Sequence, residues 1–174
     1  MDFVEGDEDI EPIRALAIKK GAKETRLISP SSVITGEWVR LKCQYGCGGY
    51  NQCLTCPPYS PSPAVTRKLV DEYSKIILAH LPTGWRHLRE IMASLEREVF
   101  LFGLHKALAF GSGPCHLCEP CPRQYPCTHP DEARPSMEAC GIDVFTTARN
   151  AGFPIEVLRS RDCKANFYGL LLVD

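Results

Sequence analysis

The sequence predicts an α/β fold: a mixed, partly parallel sheet with helices, interrupted by two irregular cysteine-rich loops. Three observations predict it. The short apolar runs Lys75–Leu81 and Lys106–Phe110 flank a stretch whose apolar residues, Leu88, Ile91, Met92, Leu95, Val99 and Phe102, recur at helical spacing. Strand, helix and strand in that order is a βαβ unit, which would make the two strands parallel neighbours. Two segments, 43–60 and 112–135, concentrate cysteine, proline and glycine without any period. The chain has 174 residues and is 44% hydrophobic, enough for a core without staples, so 1–174 reads as a single α/β domain.

Taken in order, Ile10, Ile13, Leu16 and Ala17 mark a helix from Ile10 to Lys20, with Pro12 in its first turn and Gly21 as its stop. Thr25–Ile28 and Gly36–Lys42 read as strands; in the second, Trp38, Arg40 and Lys42 alternate with Val39 and Leu41. Pro57 to Pro63 is a rigid connector. Ser62 then caps a helix whose first residue is Pro63. The run Lys75–Leu81 has strand length and no polar face, so it should be buried on both sides. The long helix runs from about Arg86 to Phe102, and the strand after it ends in Gly111-Ser-Gly113. Ser136 is expected to cap a last helix reaching Asn150, followed by strands at Ile155–Leu158 and Phe167–Val173.

Several function classes are excluded or disfavoured at once. A net charge of −1 with no long Lys/Arg run argues against nucleic acid. No apolar run approaches a membrane span, and no signal peptide opens the chain. The acidic start (Asp2, Glu5, Asp7, Glu8, Asp9, Glu11) reads as a solvated end. These features together place the protein in the cytoplasm, where its ten cysteines would stay reduced. Metal ligation then outranks disulfides.

The thiols fall into two groups. The first is Cys43-x3-Cys47-x5-Cys53-x2-Cys56, with Gly46, Gly48 and Gly49 inside it; the second is Cys115-x2-Cys118-x2-Cys121-x5-Cys127. Three prolines between Cys118 and Cys127 forbid a helix or central strand there, so something other than a backbone ladder must order the loop. Each group offers the four soft ligands that a 4Fe-4S cluster or a structural zinc needs. The run Cys-x2-Cys-x2-Cys is three-quarters of the bacterial ferredoxin motif, whereas zinc sites more often use two separated knuckles. Glycine lets the backbone turn closely enough to offer N–H groups to cluster sulfurs. Both Cys56-Pro57 and Cys121-Pro122 have the form that serves the other cluster in two-cluster ferredoxins, so crossed ligation is open.

Two thiols are left over. Cys140 shares the stripe Met137, Cys140, Val144, Ala148 and Ala151 and reads as a core thiol, while Cys163 lies in a polar turn. His116 and His129 flank the second group and read as surface residues rather than ligands. Arg134 and the helix start at Ser136 follow closely, and both are expected to face the second centre as positive charge; the alternative is an Arg134–Glu138 pair.

The segment Cys47-Gly-Gly-Tyr-Asn-Gln-Cys53-Leu-Thr-Cys56-Pro-Pro-Tyr59 resembles a prokaryotic family of predicted metal-binding proteins of unknown function. Gly113-Pro-Cys-His-Leu-Cys118 and Ala133-Arg-Pro-Ser-Met-Glu-Ala139 carry the same resemblance, over about residues 10 to 173. The resemblance implies metal binding, with iron–sulfur as the chemistry, and supplies no reaction. The expectation is therefore two 4Fe-4S clusters on the eight thiols, acting as a one-electron carrier or electron-entry module with a redox partner protein. A scaffold pinned by structural zinc is the competing class, and an enzyme with one incompletely ligated iron is the third.

Overall fold

Ile76, Ile77 and Leu78 have no exposed surface at all, and the fold is built outward from the strand that holds them. The computed structural model describes residues 10–81, 84–160 and 162–174, the side chain of Trp85 excepted. The acidic start up to Asp9, together with Pro82 and Thr83, lies outside the described residues. The elements are α1 (Glu11–Lys19), β1 (Glu24–Ile28), α2 (Glu37–Gly46), α3 (Pro63–Val70), β2 (Ile76–Leu81), α4 (Trp85–Leu101), β3 (Leu108–Phe110), α5 (Val144–Asn150) and β4 (Phe167–Leu172).

The sheet order is β1-β2-β4-β3 and every pairing is antiparallel. In register, Ile28 faces Ile76, Ile76 faces Leu172, and Leu172 faces Leu108. The expected parallel pairing of the strands around α4 is therefore corrected. Strands β2 and β3 do run in the same direction, but β4 sits between them and pairs with both. A sequence-local βαβ reading cannot anticipate this, because the inserted strand comes from the far end of the chain. The gain is full pairing: β2 bonds on both edges and is buried on both faces.

Both faces of the sheet are covered. On one, Ile77, Ala79, Ala109 and Leu171 pack against Ile13 and Ala17 of α1 and Leu88, Met92, Leu95 and Val99 of α4. On the other, Ile76, Leu78, Phe110, Leu170 and Leu172 pack against Val70, Met137, Cys140, Ile142 and Ala148. Each fully buried Val, Leu, Ile, Phe or Met among them stabilises by about 1.5–3 kcal/mol. Gly169 on β4 lets α4 approach, since a Cβ there would lie 2.6 Å from Met92 Cγ.

Three local expectations are also corrected. Residues 36–42 are not a strand; they open α2, on which Val39 alone is buried while Trp38 and Leu41 are half-exposed. Alternation of bulky residues was a weak signal, and Glu37 in the first turn of the helix was the better one. Cys43 consequently stands on the last turn of a helix, so only the remainder of 43–60 is irregular. Ser136 caps no α-helix; its Oγ accepts from Ala139 N–H at 3.1 Å just before a single 3-10 turn (Glu138–Cys140) whose N-cap is Met137. Gly141 at φ +78° then breaks the chain, because Pro63 lies where its Cβ would be, and Asp143 caps α5 by accepting from Thr146 N–H. Residues 155–158 form no strand.

Candidate metal centre

Segment 112–135 contains no helix or strand, yet it leaves and re-enters the core at one point. Gly111 N–H donates to Pro135 O at 2.8 Å and Met137 N–H to Gly111 O at 3.1 Å. The excursion is thus closed at its base, which offsets the loop entropy that its prolines alone would not remove. Arg134 seals the returning stem: Nε donates to Glu96 Oε2 at 2.7 Å, Nη2 to Oε1, and Nη1 to Pro130 O. Glu96 Oε2 also takes Ala109 N–H at 2.6 Å, so one carboxylate on α4 ties together β3 and the loop.

The first thiol segment is held by another arginine. Arg40 on α2 donates to Ser60 O, Pro61 O, Pro58 O and Ala139 O, and Ser60 Oγ donates to Ala139 O at 2.6 Å. Helix α2 is thereby locked to the proline connector and to the 3-10 turn, where Cys43 Sγ lies 4.0 Å from Glu138 O. Gly49 supplies the close approach expected of a glycine: a Cβ there would sit 3.5 Å from Cys47 Sγ, 3.6 Å from Cys56 Sγ and 3.2 Å from Pro114. Its N–H donates to Cys47 Sγ, as His129 N–H does to Cys127 Sγ, both at 3.4 Å.

The two thiol segments lie against each other. Arg123 Nη1 donates to Asn51 O at 2.8 Å across the seam, and both residues take positive φ (53° and 58°). Cys53, 3% exposed, sits at the junction. Its sulfur receives the Cys56 thiol, the Thr55 hydroxyl and the Cys115 N–H, which together hold it well below the usual thiol range. Cys56 is pushed up as the donor of that pair, with burial and the charges of Cys53, Cys47 and Cys43 adding to the effect. Cys53 also lines a recess with Cys115, Cys118, Cys121, Cys127 and His129. Cys115 is pushed up by burial, against the pull of Leu117 N–H and of the Arg89 charge.

Of the eight sequence-predicted thiols, Cys43, Cys47 and Cys53 therefore act on Cys56, while Cys115, Cys118, Cys121 and Cys127 line the recess, which Cys53 also joins. Among the described residues no three His, Cys, Asp or Glu side chains converge at metal-binding geometry. Cys140 is fully buried in the core and burial pushes its thiol up to about 12; Cys163 is exposed. His129 lines the recess, whereas His116 is half-buried beside Glu119. The expectation for Arg134 is corrected: its charge is spent on Glu96, and it meets neither Glu138 nor a thiol. Glu138 instead accepts from Ser136 and its own N–H, with burial raising its carboxyl. Sequence reasoning passed over Arg40, Arg89 and Glu96, because arginine and glutamate on helices read as solvated.

A family match covers this region. Predicted metal-binding protein (DUF2284) matches residues 26–173, which run from within β1 through β4. The chain belongs to that family. No curated protein and no solved structure matches it. The match to DUF2284 carries metal binding and leaves the metal itself undefined. The donor set fits a soft centre: eight thiols with backbone N–H groups directed at sulfur suit zinc or an iron–sulfur cluster, not a hard oxygen-seeking ion. No helix among the described residues is long and apolar enough to cross a membrane.

Proposed function

We propose that this protein holds two 4Fe-4S clusters and serves as a one-electron carrier or electron-entry module for a redox partner protein. Cys43, Cys47, Cys53 and Cys56 would hold one cluster and Cys115, Cys118, Cys121 and Cys127 the other. The observation that carries the reading is Cys53, which faces Cys56 on one side and the recess of the second thiol group on the other. Two centres built on either side of it would be near neighbours, as an electron relay requires, whereas two structural zincs have no need to adjoin. Such clusters supply reversible uptake of one electron each. The chain's own part is to fix the thiols, through Arg40 and Glu96 on packed helices, and to present N–H groups to sulfur through Gly49 and His129.

Purification without oxygen, followed by metal analysis, a visible spectrum and electron paramagnetic resonance after dithionite, tests the reading. Brown protein with about eight irons that bleaches on reduction supports it. Colourless protein carrying stoichiometric zinc replaces it with a scaffold whose loops are pinned by metal.

A further inference from the structure

Arg89 stands on α4 with 4% of its surface exposed, and its Nη1 has no hydrogen-bond partner. A guanidinium so placed carries a desolvation cost of several kcal/mol unless an anion compensates it. The carboxylate nearest in sequence on that face, Glu96 two turns on, is already taken by Arg134 and Ala109 N–H. Helix α4 presses Arg89 against the root of the cysteine loop: a Cβ on Gly111 would meet Arg89 Cα at 3.1 Å, Cβ at 3.2 Å and Cγ at 3.3 Å. From there the buried Ser112 leads within three residues to Cys115, on which the arginine charge acts.

We propose that Arg89 is the buried counter-charge of the thiolate-ligated metal centre that includes Cys115. Four thiolates around zinc or a 4Fe-4S cube leave a net negative charge, and the buried guanidinium beneath the loop, whose Nη1 has no hydrogen-bond partner, meets it. Arg89 acts through Cys115, so it is a positioning residue and not a ligand. The inference rests on thiol ligation as proposed above, and it does not depend on which soft metal is bound.

The test compares wild type, Arg89→Met and Arg89→Lys, each metal-free and each loaded with zinc under reducing conditions. Thermal midpoints and chelator competition are the readouts. Methionine keeps the bulk and removes the charge, so the metal-free variant should melt at or above wild type, since an uncompensated charge is gone. The loaded variant should melt below loaded wild type, and its zinc should be lost to chelator roughly 10–100-fold more readily. Lysine should restore most of the affinity. If Arg89→Met lowers both midpoints equally and leaves affinity unchanged, Arg89 only packs the loop root and the assignment falls. If Arg89→Met does not fold, lysine still decides, because a loss of affinity in a charge-retaining variant would also overturn it. Wild type that takes up neither zinc nor iron is a separate outcome, which removes the metal reading and this inference with it.

Discussion

Arg134 and Glu96 form a two-pronged ion pair in which both side chains are largely buried, at 17% and 12% exposure. The pair joins the return of the cysteine loop to α4, and Glu96 simultaneously takes Ala109 N–H from β3. Replacing Arg134 by Gln strips a buried carboxylate of its counter-charge and of its two-pronged guanidinium donor, which should lower unfolding stability by on the order of 3 kcal/mol. Because Arg134 bonds to Glu96 and not to a sulfur, the metal content of the loaded protein should stay unchanged. Denaturant unfolding and metal analysis of Arg134→Gln measure the two halves separately. A loss of metal with stability intact would return Arg134 to the cluster.

The thiol region makes a graded prediction for iron content. Cys118 belongs to the recess side alone, so Cys118→Ser should lose about half the iron of anaerobic protein, a cubane without one thiolate corner being labile. Cys53 faces both groups, so Cys53→Ser should lose more than half. Iron analysis of the two variants beside wild type decides it. Equal losses would mean that the recess centre does not depend on Cys53 as part of its wall.

Cys140 gives a prediction that depends on pH. Its thiol, fully buried against Met137 and Ile142, is raised by burial from 9.0 to about 12. The folded state therefore keeps a proton that the unfolded chain releases. The stability this contributes is complete below pH 9 and is lost between pH 9 and 12, at about 1.4 kcal/mol per pH unit. Cys140→Ala should cost on the order of 1 kcal/mol at pH 7, for one small group removed from a packed core. It should also flatten the alkaline limb of the stability curve. Urea midpoints from pH 7 to pH 11 test both signs, and an unchanged alkaline slope would exclude Cys140 as its source.

The parts that could be read from the sequence share one property: each depends on residues close together in the chain. Helix α3 with its Ser62 cap, the two-face burial of β2 and the stripe of α4 all follow from spacing within a single element. The grouping of the thiols was visible for the same reason, since Cys115, Cys118 and Cys121 recur at every third residue. Strand order was not, because β4 enters between β2 and β3 from residues 167–172. Nor was the meeting of the two cysteine segments, which rests on long-range contacts such as Arg123 with Asn51. Arg89 and Glu96 were missed because they occupy the flank of an apolar stripe, where charge normally faces water. Only the tertiary fold shows that this flank lies under a loop.

Cys163 offers the last prediction. It is an exposed thiol, hydrogen-bonded to Ser160 Oγ at 3.5 Å, and the Ser160 hydroxyl and neighbouring backbone donors hold it below the usual thiol range. Exposure and a lowered pKa are the two conditions for fast alkylation. In metal-loaded protein the eight ligating thiols would be masked and Cys140 is buried, so iodoacetamide near neutral pH should label one site rapidly, and that site should be Cys163. Removing the metal with a chelator should expose further sites, Cys47 foremost, because it is the exposed member of the first group. Peptide mass mapping before and after chelation reads this directly. Rapid labelling of Cys118 or Cys121 in fully loaded protein would show that those thiols do not hold metal. The ligand set would then shrink to the thiols that remain protected.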